Sequence, residues 1–590
     1  MLPIFFLRGC RRALCQPSWP IAAIALTLVA FKLYALEQVS RDFLQCRWCL
    51  SPTSLIHEIS FCLVLLLLHV ASSSVPKVWL HHLLRSMVVA LLALMVCDLA
   101  VSYLFWTRLT LADLIKHVPE IGSALSLTSH ITDFPALTLA GTLAALVITM
   151  VIAIRYLRAL PNAKGPHAPI LWVCLSVYGC TTLEVQEGSQ DRAYHERFTR
   201  NVLEVFFAPA LEKVSYSDQF AARIAPLSSA EQICLRGQNH RLNVILVVVE
   251  SLSLFHSQLF SGINDWTPEF DTLAQKGTRY SNFYANGVTT EQGLVALLTG
   301  QPPLERGIET ASTLFAQYLT PQRSLARDLH EAGYDTAVLT TGNLSFLGKR
   351  EWLQAIGFDR VEGHDATAYD GLPRYNFDAA DDRALYHRTL ELVQHQQSPF
   401  FVAVETVTTH LPYVDPETGE HSAERVYRYA DRALGDFARA LERQGYFENG
   451  VLLVTGDHRA MVPMARAERT LFGDYGYARV PLAVVGRGIT PGNVIATRYS
   501  QSDILPSLVH LTLDHVQCLS DHQGLALPDS LRAPTCTFTR RSYDNSEVYV
   551  RCDAADMTVQ LNGDHTQLAS GLKDSALLHT VHRLRLGRGF

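Results

Sequence analysis

The feature that most restricts the possible fold of this chain is a set of five long apolar segments in the first 184 residues. They run over about Trp19 to Leu36, Ser54 to Ser72, Leu83 to Trp106, Ile131 to Ile154 and Ala168 to Leu183. Each approaches the roughly 20 residues that a helix needs to cross a bilayer, and the fifth is the shortest. A cleaved signal peptide does not explain five such segments. The sequence therefore predicts a bundle of about five transmembrane helices.

Basic residues predict the orientation of this bundle. They form three clusters around the apolar segments: Arg8, Arg11 and Arg12; Lys77 and Arg85; and Arg155, Arg158 and Lys164. All three clusters lie on the cytoplasmic side if the N-terminus is cytoplasmic, as the positive-inside rule requires. Five crossings then place the chain after residue 185 outside, in the periplasm or its equivalent.

Two acidic residues, Glu58 and Asp98, lie inside or at the rim of the predicted spans. Burial of a charge in hydrocarbon is costly, so such residues indicate either a functional site or a wetted position near the interface. Both fall near the outer ends of their helices, and the interfacial position is the simpler expectation.

Composition divides the chain into four parts: a transmembrane domain (1–184), a juxtamembrane helical linker (185–240), an outer α/β domain (241–518) and a C-terminal extension (519–590) with short strands and a basic tail. An apolar stripe in the linker, from Leu203 to Leu211, fits a helix on the membrane surface or one packed against the outer domain.

Charge and cysteine usage limit the classes of function. Lys and Arg number 50 against 56 Asp and Glu, a net charge of −6 without a basic block, so nucleic-acid binding is not expected. The polar part holds four cysteines, an even number that permits disulfides in an oxidising compartment without fixing their pairing. They are Cys234, Cys518, Cys536 and Cys552.

Short β-branched or apolar runs alternate with helical stretches beyond Arg241. They are Asn243–Val249, Thr336–Leu339, Phe400–Val404, Val451–Val454 and Val480–Val485. This alternation predicts a doubly wound, mostly parallel α/β sheet, whose chemistry belongs at the carboxyl ends of the strands.

Polar residues follow two of these strands. Glu250 ends the first run, and Asp457 and His458 follow the fourth. With the hydroxyl of Thr290, at the start of a predicted helix, they form an oxygen and nitrogen ligand set that suits Zn²⁺ or Mn²⁺. Taken singly, Asp457 fits a helix cap beside a surface histidine, and Glu250 fits an ion pair with an arginine. A bound cation would lower the pKa of the Thr290 hydroxyl enough for attack on phosphorus.

The segment from Thr290 to Leu297-Leu298-Thr299-Gly300 resembles the nucleophile helix of the sulfatase and alkaline phosphatase superfamily. Sulfatases carry a Cys or Ser there that becomes formylglycine, and Thr cannot be converted in this way. The resemblance therefore points to the membrane phosphotransferases: lipoteichoic acid synthases, periplasmic-glucan phosphoglycerol transferases and lipid A phosphoethanolamine transferases. It implies a sulfatase-like catalytic domain with one divalent metal, Zn²⁺ or Mn²⁺, on Glu250, Thr290, Asp457 and His458.

Two further segments carry the resemblance. Thr408-Thr409-His410-Leu411-Pro412 is similar to the family's Thr-His-x-Pro segment, which implies that His410 contacts the phosphate or protonates the leaving oxygen. The segment Phe346 to Glu351 implies that Arg350, or alternatively Lys349, holds the substrate phosphate. Lipoteichoic acid synthases have His and Trp where this chain has Thr341 and Gly348, so the resemblance does not extend to their phosphoglycerol pocket.

The resemblance implies a multi-pass enzyme of the bacterial inner membrane with an extracytoplasmic catalytic domain. It would move phosphoglycerol or phosphoethanolamine from a phospholipid donor to an envelope glycan or lipid through a phosphothreonine on Thr290. A metal-dependent hydrolase of the sulfatase or phosphodiesterase type, and a non-catalytic lipid-binding regulator of envelope assembly, are the alternatives.

Overall fold

The structure is a computed structural model of the 590-residue chain. It describes residues 19–43, 45–48, 51–105, 108–111, 114, 151–158, 198–211, 215–224, 232–304, 313–396, 399–520, 522–527, 531–540, 547–553, 555–568 and 575–587. The fold consists of two compact units, one built largely from residues up to Ala210 and the other largely from Leu211 onward.

Three long apolar helices dominate the first unit: α1 (Trp19–Asp42), α2 (Ser51–Ser74) and α3 (Val78–Phe105). All three are long and apolar enough to cross a membrane, and they are the only such helices in the described part of the chain. They match the first three predicted segments. The fourth segment is described only at its end, where 151–158 is helical, and the fifth lies outside the described residues.

The expectation of wetted positions for Glu58 and Asp98 is wrong. Both side chains are buried, at 1% and 2% exposure, and each has a cationic partner. Lys32 of α1 forms an ion pair with Glu58 of α2, and Arg108, which follows α3, donates to both carboxylate oxygens of Asp98 at 2.7 to 3.0 Å. The opposite charge of its partner makes burial of each carboxylate tolerable.

The linker stripe forms helix α4 (Val202–Leu211), which belongs to the first unit. Val202 and Leu203 pack into the apolar cluster of α1, α2 and α3. The preceding carbonyl of Arg200 accepts from Lys32 at 2.6 Å and from Arg108 at 2.9 Å. This helix therefore packs on the apolar helices themselves, an arrangement that the sequence did not indicate.

The second unit alternates strands and helices. Its elements are α5 (Asp218–Ile224), β1 (Ile233–Arg236), β2 (Asn243–Val249), α6 (Gln258–Ser261), α7 (Pro268–Lys276), β3 (Thr278–Tyr280), β4 (Phe283–Tyr284), α8 (Thr290–Thr299), α9 (Leu314–Gln317), α10 (Leu325–Glu331), β5 (Asp335–Thr340), α11 (Lys349–Ala355), β6 (Arg360–Glu362), α12 (Asp382–His395), β7 (Phe400–Glu405), α13 (Ala423–Arg443), β8 (Gly450–Gly456), α14 (Arg466–Phe472), β9 (Leu482–Gly486), β10 (Val494–Ile495), β11 (Tyr499–Ser500), α15 (Ile504–Thr512), β12 (Val516–Leu519), β13 (Cys536–Arg540), β14 (Glu547–Cys552), β15 (Asp556–Gln560), β16 (Gln567–Leu568) and α16 (Ser575–Arg585).

Eight strands form a mixed sheet in the order β10-β3-β9-β8-β2-β7-β5-β6. The neighbours of β2 and of β5 are all parallel to them, whereas β9 runs antiparallel to β3 and β8. The apolar runs in the centre of the sheet form strands that are buried on both faces, as is typical of parallel sheets covered by helices. The predicted α/β fold with a mostly parallel sheet is confirmed.

Helices cover both faces of this sheet. Val244, Leu246 and Val248 of β2 point to the face covered by α8, and the intervening residues point to the face covered by α13. Alternation along a strand assigns every following residue to one face or the other. The face covered by α8 is referred to below as the nucleophile face.

The C-terminal part adds a four-stranded antiparallel sheet, β13 to β16, as the predicted extension required. Disulfides join Cys234 of β1 to Cys518 of β12 and Cys536 of β13 to Cys552 of β14. The predicted basic tail is largely wrong, because Arg585 lies in helix α16 and is buried.

Candidate metal and nucleophile site

Two adjacent strand ends supply the acidic side chains of the site. Strands β2 and β8 are parallel neighbours, with Val249 opposite Gly456, so the residues that follow them emerge side by side. Val248 and Leu453 both point to the nucleophile face, and alternation directs Glu250 and Asp457 to that face as well. Both side chains are buried.

Thr290 is the first residue of helix α8. Thr289 caps the helix by accepting a hydrogen bond from the backbone of Gln292, which fixes where the helix begins. A side chain at Gly293 would meet the backbone of Asp457, because an added Cβ would lie 2.1 Å from its carbonyl oxygen. Because Gly293 has no side chain, the first turn of α8 can pack directly against the end of β8.

The four predicted ligands come together. The hydroxyl of Thr290 donates to Oε2 of Glu250 at 3.1 Å and lies 3.4 Å from Nε2 of His458. That nitrogen is 3.2 Å from Oδ2 of Asp457 and 3.7 Å from Oε1 of Glu250. Ligand atoms of Glu250, Asp457 and His458 all lie within 4.8 Å of one another.

The donor atoms fit a divalent cation. Nδ1 of His458 donates to the carbonyl of Arg459 at 2.8 Å, which leaves Nε2 as a lone-pair donor facing the cluster. Oδ1 of Asp457 accepts from the backbone amides of Ser251 and His458, whereas its buried Oδ2 faces Nε2 of His458 at 3.2 Å. Such a mixed set suits Zn²⁺ or Mn²⁺.

Electrostatics show that negative charge is concentrated here. Burial and the charge of Asp457 raise the pKa of Glu250 to about 8. Burial opposes protonation of His458, but the charge and hydrogen bonding of Asp457 outweigh it and raise the pKa of His458 to about 9. The charge of His458 in turn holds the pKa of Asp457 below its usual value despite burial. Protons held by Glu250 and His458 thus offset the negative charge of the site, a role that a bound cation would otherwise have.

His410 follows the neighbouring strand β7 and lies next to this group. The preceding Thr409 donates its hydroxyl to the carbonyl of Glu250 at 2.6 Å. Nδ1 of His410 donates to the carbonyl of Leu411 at 2.6 Å, so Nε2 of the neutral ring is an acceptor. Burial lowers the pKa of His410 to about 4, so the ring is neutral at pH 7.

The two basic candidates, Arg350 and Lys349, have different partners. Nη2 of Arg350 donates to both carboxylate oxygens of Asp365 at 2.7 Å, and Nη1 donates to the carbonyl of Val361 at 3.4 Å. Lys349 forms an ion pair with Glu405, the last residue of β7. The structure therefore does not bring Arg350 together with the four ligands as a free cation.

Several supporting residues were not predicted from the sequence. The hydroxyl of Ser251 donates to Glu250 at 2.6 Å, and Thr406 accepts from the Glu250 amide at 3.0 Å. Gln501 donates to the carbonyls of Gly456 and Asp457 at 2.8 and 2.6 Å. Ser251 adjoins a predicted ligand and was accessible to sequence reasoning, whereas no local pattern connects Gln501 with a strand more than 40 residues away.

Comparison with known proteins finds a similarity that covers the site. Residues 242–515 match the family model described as Sulfatase. Lipoteichoic acid synthase 1 of Bacillus subtilis (strain 168) is 25% identical over 302 residues, which cover 46% of this chain and 45% of that protein.

Phosphoglycerol transferase I of Xanthomonas euvesicatoria pv. vesicatoria (strain 85-10) is 24% identical over 339 residues, covering 53% of this chain and 46% of that protein. The chain thus spans less than half the length of these relatives. Among solved structures, the lipoteichoic acid synthase LtaP from Listeria monocytogenes is 17% identical with a TM-score of 0.46, covering 63% of this chain and 97% of that chain.

Proposed function

Given a sulfatase-family domain whose nucleophile position is a threonine, we propose that this protein is a membrane-bound phosphoglycerol transferase. It takes the head group from a phospholipid and passes it to an envelope glycan or lipid. Of the two relatives described above, one is named a phosphoglycerol transferase and the other a lipoteichoic acid synthase, and the first name supports phosphoglycerol over phosphoethanolamine as the group transferred.

One observation carries the proposal: the Thr290 hydroxyl lies among three buried metal-ligand side chains at the start of a helix. A structural threonine at a helix N-terminus has no need of two carboxylates and an imidazole around its oxygen. Backbone N–H groups at the start of α8 also favour a phosphoryl group there.

The reaction consists of two displacements. The Thr290 oxygen forms a bond to the donor phosphorus, the bond from phosphorus to the diacylglycerol oxygen breaks, and diacylglycerol leaves with one proton. An acceptor hydroxyl then attacks the phosphothreonine, its proton is released, and Thr290 regains a hydroxyl. This sequence predicts ping-pong kinetics.

The side chains divide this work. Glu250 accepts the hydrogen bond of Thr290 and orients its oxygen. Glu250, Asp457, His458 and Thr290 would hold one Zn²⁺ or Mn²⁺, which supplies Lewis-acid stabilisation of negative charge on oxygen. His410, neutral and with Nε2 as acceptor, takes the proton of the attacking acceptor hydroxyl.

The location proposed for this chemistry is the outer face of a bacterial inner membrane. Three membrane-length helices support anchoring, and the basic clusters of the sequence support an extracytoplasmic catalytic domain. Anchoring raises the effective concentration of lipid donors at the site.

Intact-protein mass spectrometry of the full chain tests the proposal. Incubation of the Mn²⁺-loaded protein with phosphatidylglycerol in detergent micelles should add one glycerol phosphate group, mapped to Thr290. Thr290→Ala should show no adduct, and Thr290→Ser should retain one. Phosphatidylethanolamine offered in parallel should give little or none.

Two results would contradict transfer. Rapid release of glycerol phosphate to water without any acceptor would indicate a hydrolase of the phosphodiesterase type. Tight lipid binding by a protein that never becomes modified would indicate the non-catalytic regulator.

A further inference from the structure

The side chain of Gln501 joins two separate parts of the site. Gln501 is fully buried and precedes helix α15. Its Nε2 donates to the carbonyls of Gly456 and Asp457 at 2.8 and 2.6 Å, and its Oε1 accepts from the backbone amide of Asn286 at 3.0 Å. One amide group thus connects the end of β8 with the segment that leads into the nucleophile helix.

The short segment between Asn286 and Thr290 is bonded to the helix that it precedes. The backbone amide of Val288 donates to Oε1 of Gln292 at 2.7 Å. The side chain of Thr289 accepts from the backbone amide of Gln292 and caps the helix. Because these bonds hold the segment and the first turn of α8 together, a shift of Asn286 would also move Thr290.

Asn286 is bonded to the C-terminal extension as well. It is fully buried, its Nδ2 donates to the carbonyl of Phe538 at 2.7 Å, and its own carbonyl accepts from the backbone amide of Arg540 at 3.1 Å. Both partners belong to strand β13. Oδ1 of Asn286 accepts from the backbone amide of Ser502 at 2.9 Å, next to Gln501. Strand β13 therefore helps to fix the segment that carries the nucleophile.

The carbonyl oxygen of Asp457 is the point at which these contacts meet. It accepts from Gln501 and lies against Gly293 of the nucleophile helix. A buried amide side chain that only satisfied carbonyl groups at the end of a strand would need no further partner. Gln501 has such a partner, the segment that leads to Thr290. Two links therefore hold Thr290 at a fixed distance from Asp457: the packing of Gly293 and the bridge through Gln501.

We propose that Gln501 and Asn286 are positioning residues for the transfer reaction, which fix the distance between the Thr290 hydroxyl and the proposed metal ligands at the end of β8. Their side chains bond backbone groups of both segments, so they act through the backbone and not on the substrate. This inference rests on the proposed transfer to Thr290 and on the proposed ligand set.

The maximal rate of adduct formation on Thr290 tests this role. The full chain in detergent, saturated with Mn²⁺, is mixed with increasing phosphatidylglycerol and quenched for intact mass analysis. Gln501→Met keeps the length of the side chain and removes its hydrogen bonds. The maximal rate should fall about 100-fold, the effect of a displacement of about 1 Å near a reacting group. The donor concentration for half-maximal rate should stay within about 3-fold, because no contact with the donor is lost.

Matched variants distinguish positioning from folding. Gln517 of β12 is also buried, and its Nε2 donates to the carbonyl of Pro506 at 2.7 Å. Gln517→Met should lower the unfolding temperature as Gln501→Met does, but it should leave the maximal rate within about 3-fold because Gln517 does not bond the segment before Thr290. Asn286→Ala should slow the reaction, and the double variant with Gln501→Met should lose less than the product of the two single losses.

Metal affinity gives a second readout that does not require transfer. Thr290→Ala should weaken binding of Mn²⁺ in the wild-type background, measured by calorimetric titration, because the hydroxyl is a proposed ligand. In the Gln501→Met background the same substitution should change the affinity less than about 2-fold, because the displaced hydroxyl no longer reaches the other ligands.

The outcomes separate the two proposals. A wild-type protein without any adduct overturns the transferase assignment, and the metal titrations then still test the positioning of Thr290. A wild-type adduct that Gln501→Met forms at the normal maximal rate overturns the positioning role alone. An equal loss in Gln517→Met overturns it too, as does an effect of Thr290→Ala on metal affinity that is the same in both backgrounds.

Discussion

Gly293 of the nucleophile helix lies directly against the backbone of Asp457, where an added Cβ would approach the carbonyl oxygen to 2.1 Å. Real Cβ atoms do not tolerate this distance, so Gly293→Ala must move the helix start or the strand end. A displacement of about 1 Å near a reacting group costs on the order of 100-fold in rate. We expect such a loss in the rate of Thr290 modification, measured by quenched intact mass analysis.

A second helical glycine provides the control for this substitution. Gly435 of α13 would place its Cβ 2.5 Å from the end of the Glu269 side chain, which can turn away. Gly435→Ala should therefore leave the rate within about 3-fold, because the helix need not move. Equal losses in both variants would contradict a special role for the contact with Asp457.

Metal uptake should depend on pH. In the metal-free protein the pKa values of Glu250 and His458 are raised to about 8 and about 9, so both groups are protonated at pH 7. Metal binding requires both side chains in their deprotonated forms. The affinity for the metal should therefore rise from pH 6 toward pH 9, by up to about 10-fold per pH unit for each proton released, and become constant at higher pH.

Calorimetric titration with Mn²⁺ in two buffers of different ionisation enthalpy measures how many protons are released when the metal binds. We expect between one and two protons per ion at pH 7. Asp457→Asn should weaken binding, and Thr290→Ala should weaken it less. A pH-independent affinity would contradict the protonation states described here.

The buried ion pair of Asp98 and Arg108 should stabilise the first unit. Asp98→Asn leaves the Arg108 charge buried with no counter-charge from its carboxylate, a change that costs about 3–5 kcal/mol of unfolding free energy. Glu442→Gln removes one member of the exposed surface pair with Lys276 and should cost less than about 1 kcal/mol. Thermal unfolding in detergent compares the two, and similar losses would contradict the difference in burial.

The two disulfides should contribute unequally. Cys234 and Cys518 are 284 residues apart, whereas Cys536 and Cys552 are 16 apart. Loop-closure entropy then gives the longer bridge about 2–3 kcal/mol more stabilisation. Replacing each pair by serine and measuring unfolding should show this order, and peptide mapping without reductant should recover both bridges.

Local patterns were sufficient for the five longest strands of the large sheet and for the candidate ligands that follow two of them. The run Asn243–Val249 became β2 with the same ends, and Glu250 and Asp457 were predictable because parallel strands bring their carboxyl ends to one edge. These predictions needed only periodicity and chain order.

Partners distant in the sequence were not predictable in this way. Glu58 and Asp98 seemed suited to water because no hydropathy pattern shows that Lys32 and Arg108 pair with them. Likewise, Arg350 forms an ion pair with Asp365 that only the tertiary structure reveals. A single sequence contains the ionisable groups but not their pairing.

The pairing of β1 with β12 joins the chain just before the segment that matches the Sulfatase family model to the chain just after it, with Cys234 opposite Cys518. The two ends of this segment therefore lie next to each other. A segment with adjacent ends can be replaced as a unit without altering the spacing of the segments on either side. It can also be circularly permuted, with the original ends joined and new ends placed in a surface loop.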